Sequence, residues 1–101
     1  MSWQITVHIQ HQVISCTPNG GNIKGKNGDQ FRWFSPNAPF KLIFTIFPNG
    51  PQVWPFQQPE PNLPVTDTGL LTMKNGDIPR YYKYTVQSAG CPDLDPIVII
   101  D

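Results

Sequence analysis

Beyond Pro18, the longest stretch of this chain without a glycine or proline is residues 80–89, and it carries Tyr81, Tyr82, Tyr84, Thr85 and Val86. Prolines remove backbone donors and clash with a preceding helical turn, and these aromatic and β-branched residues favour strands. No conventional helix fits there. Before Pro18, Trp3, Ile5, Val7 and Ile9 alternate with Gln4, Thr6, His8 and Gln10, the period of two that marks a half-buried strand. Twelve prolines and eight glycines in 101 residues approach a disordered composition, but 12% aromatics belong in a core rather than in water. The length suits one domain, residues 1–101.

Further strands are expected at Val13–Thr17, Gln30–Phe34, 40–47, 70–73, 80–87 and Ile97–Ile100. Four Asn-Gly pairs, at 19–20, 27–28, 49–50 and 75–76, supply the positive φ that tight turns need. Residues 40–47 are apolar on nearly both faces, which predicts a central strand covered on both sides. An all-β sandwich of about seven or eight strands follows, with an immunoglobulin-like strand order as the structural alternative. Residues 48–64 hold Pro48, Pro51, Pro55, Pro59, Pro61 and Pro64, which cannot donate to a sheet ladder. They read as a stiff surface connection whose Trp54 and Phe56 fold back as a lid. Lys-Asn-Gly-Asp occurs at 26–29 and again at 74–77, a recurrence that common turn chemistry explains.

Three segments in order carry a resemblance. Residues 23–33, Ile-Lys-Gly-Lys-Asn-Gly-Asp-Gln-Phe-Arg-Trp, form a turn and an aromatic strand; residues 39–44, Pro-Phe-Lys-Leu-Ile-Phe, form an apolar strand; and residues 82–86, Tyr-Lys-Tyr-Thr-Val, are followed by Ile97–Ile100. Together they cover about half the chain, and their order and spacing resemble the cupredoxins, the blue-copper sandwich family. The resemblance implies a Greek-key sandwich with copper held by a trigonal set of imidazole and thiolate donors. At the matching positions this chain has Phe40 for the first histidine, Val86 for the cysteine, Ala89 near the second histidine and Leu94 near the methionine. None of these binds copper strongly, so no metal and no cofactor are expected. The predicted core is Trp3, Ile5, Val7, Phe31, Trp33, Leu42, Phe44, Tyr82, Tyr84, Val86, Ile97 and Ile99.

Cys16 and Cys91 are too far apart in sequence for a zinc ribbon or a Cys-x-x-Cys motif. They are either two ordinary thiols or a disulfide, which would stabilise by about 4 kcal/mol in an oxidising compartment. His8 and His11, three apart on a strand, point to opposite faces. Asp93 and Asp95, beside Pro92 and Pro96, read as turn residues before a Ca²⁺ site. No hydrolase, P-loop, zincin or EF-hand pattern occurs, so a catalytic role is not expected. Seven basic and seven acidic residues cancel. Residues 1–50 are net +3 and residues 51–101 net −3, too shallow a field for a nucleic-acid binder. No segment is apolar enough to span a membrane, and the first residues lack an export signal. A soluble protein is expected, periplasmic or extracellular if a leader has been removed.

Two functions remain. The first is a non-catalytic interaction or structural module. It would bind a protein or small ligand through Trp54, Phe56 and Tyr81, or form a homo-oligomer through open sheet edges. The second is an atypical copper or redox protein using Cys91 or Cys16 with a histidine.

Overall fold

Alternation builds β1 (Ser2–Gln10), which buries Ile5 and Val7 and turns Gln4, Thr6 and His8 outward. The structure, a computed structural model, describes residues 2–74 and 81–100. A two-residue turn follows β1, with φ of 53° at His11 and 63° at Gln12, the primed geometry that matches strand twist. The chain returns as β2 (Val13–Thr17), which pairs antiparallel with β1. One 3-10 turn, Asn19–Gly21, leads to β3 (Ile23–Gly25). The remaining strands are β4 (Gln30–Phe34), β5 (Lys41–Ile46), β6 (Leu71–Thr72), β7 (Tyr81–Gln87) and β8 (Ile97–Ile100).

These strands form two four-stranded sheets, ordered β2-β1-β4-β6 and β3-β8-β7-β5. Neighbours β1 and β4 run parallel, as do β3 and β8; the other pairs are antiparallel. The chain therefore leaves the first sheet after β2 and joins the second at β3. Gly21 occupies that crossover with φ 88°, and the Tyr84 hydroxyl donates to its carbonyl. A Cβ there would sit 2.7 Å from that hydroxyl and 2.9 Å from Pro96 Cγ, so only glycine fits without displacement.

Between the sheets, Trp33 is fully buried and packs on Phe31, Phe44, Phe56 and Tyr84 at ring separations of 5.3–6.0 Å. Aromatic pairs of this kind contribute about 0.5–1.5 kcal/mol each beyond their buried area. The segment between β5 and β6 closes one side of the sandwich. Gln52 bridges to Thr45 of the second sheet, and Phe56 bridges to Met73 beside the first. Phe56 enters the core at 1% exposure.

Several expectations change. Strand β5 is the end of its sheet's ladder rather than its centre, and single bridges from Val65 and Gln52 are what cover its free edge. In β8 the inward residue is Val98, in register with buried Ile23 and Tyr82; Ile97 and Ile99 face outward and are half-buried. A strand apolar on both faces carries no phase information, so its pairing decides. Trp3 is half-buried, while the other nine predicted core residues are buried. The first Lys-Asn-Gly-Asp is a turn closed by Lys26 N–H on Asp29 Oδ2 at 2.9 Å; residues 75–77 of the second lie outside the described residues. Arg80 of the expected strand 80–87 also lies outside them.

Candidate functional site

Because β1 and β4 are parallel, the turn after β1 and the loop after β4 reach the same end of the sandwich. Asn37 Nδ2 donates to Ile9 O at 2.6 Å. Ser88 Oγ donates to Pro39 O at 2.9 Å, which joins the loop after β7 to the same end. This is where the resemblance locates copper, and the side chains there are apolar. Phe40 and Val86 are fully buried, Leu94 is half-buried and Ala89 is exposed. Val86 N–H donates to Leu94 O at 2.7 Å and Leu94 N–H to Val86 O at 3.2 Å. The two positions that a cysteine and a methionine would occupy are thus zipped together by backbone. None of the four offers an imidazole, thiolate or thioether, so the residues present do not fit a blue-copper ion.

The cysteines do not replace them. Cys16 pairs with Val7 and points into the core, whereas His8 faces outward and bonds Thr17 Oγ1 at 3.0 Å. Opposite faces of one sheet cannot share an ion. Burial pushes the Cys16 thiol up to about 11, so it stays protonated at neutral pH. Both cysteines are free thiols, which corrects the disulfide alternative; Cys91 Sγ lies 3.9 Å from Ala89 O. Among the described residues, no three His, Cys, Asp or Glu side chains converge on one point. His11 sits in the turn rather than on the strand.

The three aromatics expected on a binding surface separate. Phe56 is in the core, so it is not a surface residue; its bridge to Met73 draws it inward between the sheets. Trp54 is half-buried, with its ring on Phe44 at 5.6 Å and on Phe56 at 5.2 Å. Its indole N–H donates to Gln58 O at 2.6 Å. The crevice between Trp54, Phe40, Leu42 and Leu63 has a volume of about 10 Å³, enough for about one water. Tyr81 is 52% exposed and stands across the ladder from Phe47, 44% exposed, whose N–H donates to Tyr81 O at 3.0 Å.

Tyr81 belongs instead to a surface that sequence reasoning missed, the outer face of the second sheet. Ile97 and Ile99 of β8, Tyr81, Lys83 and Thr85 of β7, and Lys41, Ile43 and Thr45 of β5 alternate with the buried residues and so face outward. Asp95 lies across them from the β8 side, accepting from Thr85 Oγ1 at 2.6 Å and meeting Lys83 Nζ at 3.7 Å. Asp93 accepts from Gln87 Nε2 at 3.3 Å. These contacts account for both carboxylates. An open groove of about 510 Å³ at the loop end has Lys41 and Asp93 on its walls. The signal for this face lies in β8, which is apolar on both faces, a pattern that by itself reads as burial.

Among the described residues no helix is long and apolar enough to cross a membrane. No protein-family model matches this chain, and no curated protein matches it.

Proposed function

We propose that this chain is a non-catalytic, metal-free cupredoxin-like module that acts by binding a partner. The observation that carries this reading is the replacement of the ligand set by Phe40, Val86, Ala89 and Leu94, with the Val86–Leu94 backbone bridge closing the loop where a metal would enter. The cupredoxin-like Greek-key assignment is supported by the strand order and by the switch of sheet between β2 and β3. Parallel neighbours at β1–β4 and β3–β8 support it further. A binding role draws support from the outward apolar residues of the second sheet, Tyr81 and Phe47 exposed and Ile43, Ile97 and Ile99 half-buried, since contiguous apolar surface marks contact sites.

Titration with Cu(I) and Cu(II), followed by calorimetry and visible absorption, tests the reading. No stoichiometric tight binding and no thiolate-to-copper band are expected. A tight one-to-one complex that Cys91→Ala abolishes would establish the atypical copper reading instead.

A further inference from the structure

Resting on the reading of this chain as a binding module, we propose that the outer face of the second sheet is the interface of a two-fold homodimer. Ladder register sets out the face in rows. Ile99, Tyr81 and Phe47 lie side by side across β8, β7 and the end of β5; Ile97, Lys83 and Thr45 form the next row; Thr85 and Ile43 the third; Gln87 and Lys41 the last. Apolar side chains thus run from Ile99 to Phe47 across one end, flanked by the outward Lys24 of β3. Lys83 stands mid-face, and Lys41 and the two carboxylates gather toward the other end.

Those charges are divided by side. Asp93 and Asp95 approach β7 from the β8 side, whereas Lys41 stands on the β5 side. Among the described residues Lys41 has no carboxylate within ion-pair distance. A two-fold axis along β7 lays β8 of one copy over β5 of the other. Lys41 then meets Asp93 and Asp95 of the second copy, and the reciprocal contact forms by symmetry. The same operation brings Ile99 against Phe47, Tyr81 against Tyr81 and Lys83 against Lys83, each Lys83 lying 3.7 Å from Asp95 of its own chain. An isologous contact needs a self-complementary patch, and this division of charge provides one. Face-to-face sheets also pack about 10 Å apart through such alternate residues.

The size of the face sets the strength. Four strands of three to seven residues cover roughly 320 Å², less than half the surface a standard interface covers per partner. A weak dimer follows, with Kd on the order of 10⁻⁵ M.

Sedimentation equilibrium of the full chain from about 1 μM to about 1 mM tests this, with a monomer–dimer equilibrium in that range expected. Lys41→Asp raises Kd at least about tenfold, and adding Asp93→Lys to it restores the wild-type value within about threefold. Tyr81→Lys, at an exposed position, leaves the melting temperature unchanged and also raises Kd about tenfold, because a charge is then desolvated among the Ile99 and Phe47 side chains of the two copies. A monomer at every concentration, or association unchanged in both Lys41→Asp and Tyr81→Lys, overturns the interface. The copper titration keeps the two readings apart. A monomer that takes up no copper removes the dimer and leaves the metal-free module standing, whereas stoichiometric copper uptake removes that module whatever the mass.

Discussion

The two sheets share one interior but differ on their outer faces. The first presents Gln4, Thr6, His8, Ser15, Thr17 and Arg32, with Val13 and Phe34 as its apolar members. The second presents Ile43, Phe47, Tyr81, Ile97 and Ile99 among Lys24, Lys41, Thr45, Lys83, Thr85 and Gln87. Water accounts for the first pattern, because polar-out alternation is what a sheet with one solvated face needs. It does not account for the second. Apolar residues on both phases of a strand usually mean cover on both sides, and here the outer cover is not part of the chain's own described residues. That contrast separates a largely polar outer face from one on which apolar and charged side chains alternate.

The largest expected effect comes from the point where the chain passes from one sheet to the other. Gly21→Ala imposes a left-handed conformation on a residue with a Cβ and drives that carbon into the Tyr84 hydroxyl and Pro96. Left-handed strain and overpacking together cost about 3 kcal/mol, read as a lower midpoint in urea unfolding. Gly20→Ala is the control. Its φ is 66°, but a Cβ would meet only Asn22 Nδ2, at 3.8 Å, so the loss is about 1 kcal/mol. Equal losses at the two positions would mean that the crossover is not packed as described.

Within β8, the inner and outer faces separate by substitution. Val98→Ala empties space between Ile23, Tyr82 and the opposite sheet and costs about 2 kcal/mol. Ile99→Ala, on the outer face, costs less than about 1 kcal/mol in dilute solution. Urea midpoints in the reverse order would return Ile97 and Ile99 to the core and dissolve the contrast between the two faces.

How much of this was legible depends on what each feature needs. Strand existence follows from local alternation and turn residues, so β1, β2, β4 and β7 could be placed from the chain alone. Strand β3 could not: three residues, Ile23–Gly25, with a single large inward side chain at Ile23, carry no period to detect. The phase of β8 and the edge position of β5 depend on hydrogen-bond partners distant in sequence. Phe56 reads as a surface aromatic because it lies in a proline-rich connection, yet its bridge to Met73, far along the chain, draws it between the sheets. The apolar side chains of Phe40, Val86, Ala89 and Leu94, where the resemblance would call for ligands, were readable because the question there was residue type. The outer face of the second sheet was not, because it exists only once four separated segments are laid in register.

The smallest effect concerns the ion pairs that each outer face carries. On the first sheet, Arg32 Nε donates to Asp67 Oδ1 at 2.9 Å, its Nη2 donates to Oδ2, and Gly69 N–H donates to Oδ1 at 2.8 Å. The guanidinium, and then the Gly69 amide, pull the Asp67 carboxyl down to about 2. A carboxyl lowered on folding stabilises above its unfolded value near 3.9 and loses that contribution as pH falls through about 2. Both side chains are more than a third exposed, so water screens most of the gain. Asp67→Asn therefore lowers the melting temperature by no more than about a few degrees at pH 7, and the gap to wild type closes between pH 4 and pH 2. Asp95→Asn on the second sheet gives a smaller change, because its lysine contact is 3.7 Å and single. Melts across that pH range check both. A gap that persists at pH 2 would assign the Asp67 effect to shape rather than charge, and a larger loss at Asp95 would make the second face depend on its own ion pair before any partner arrives.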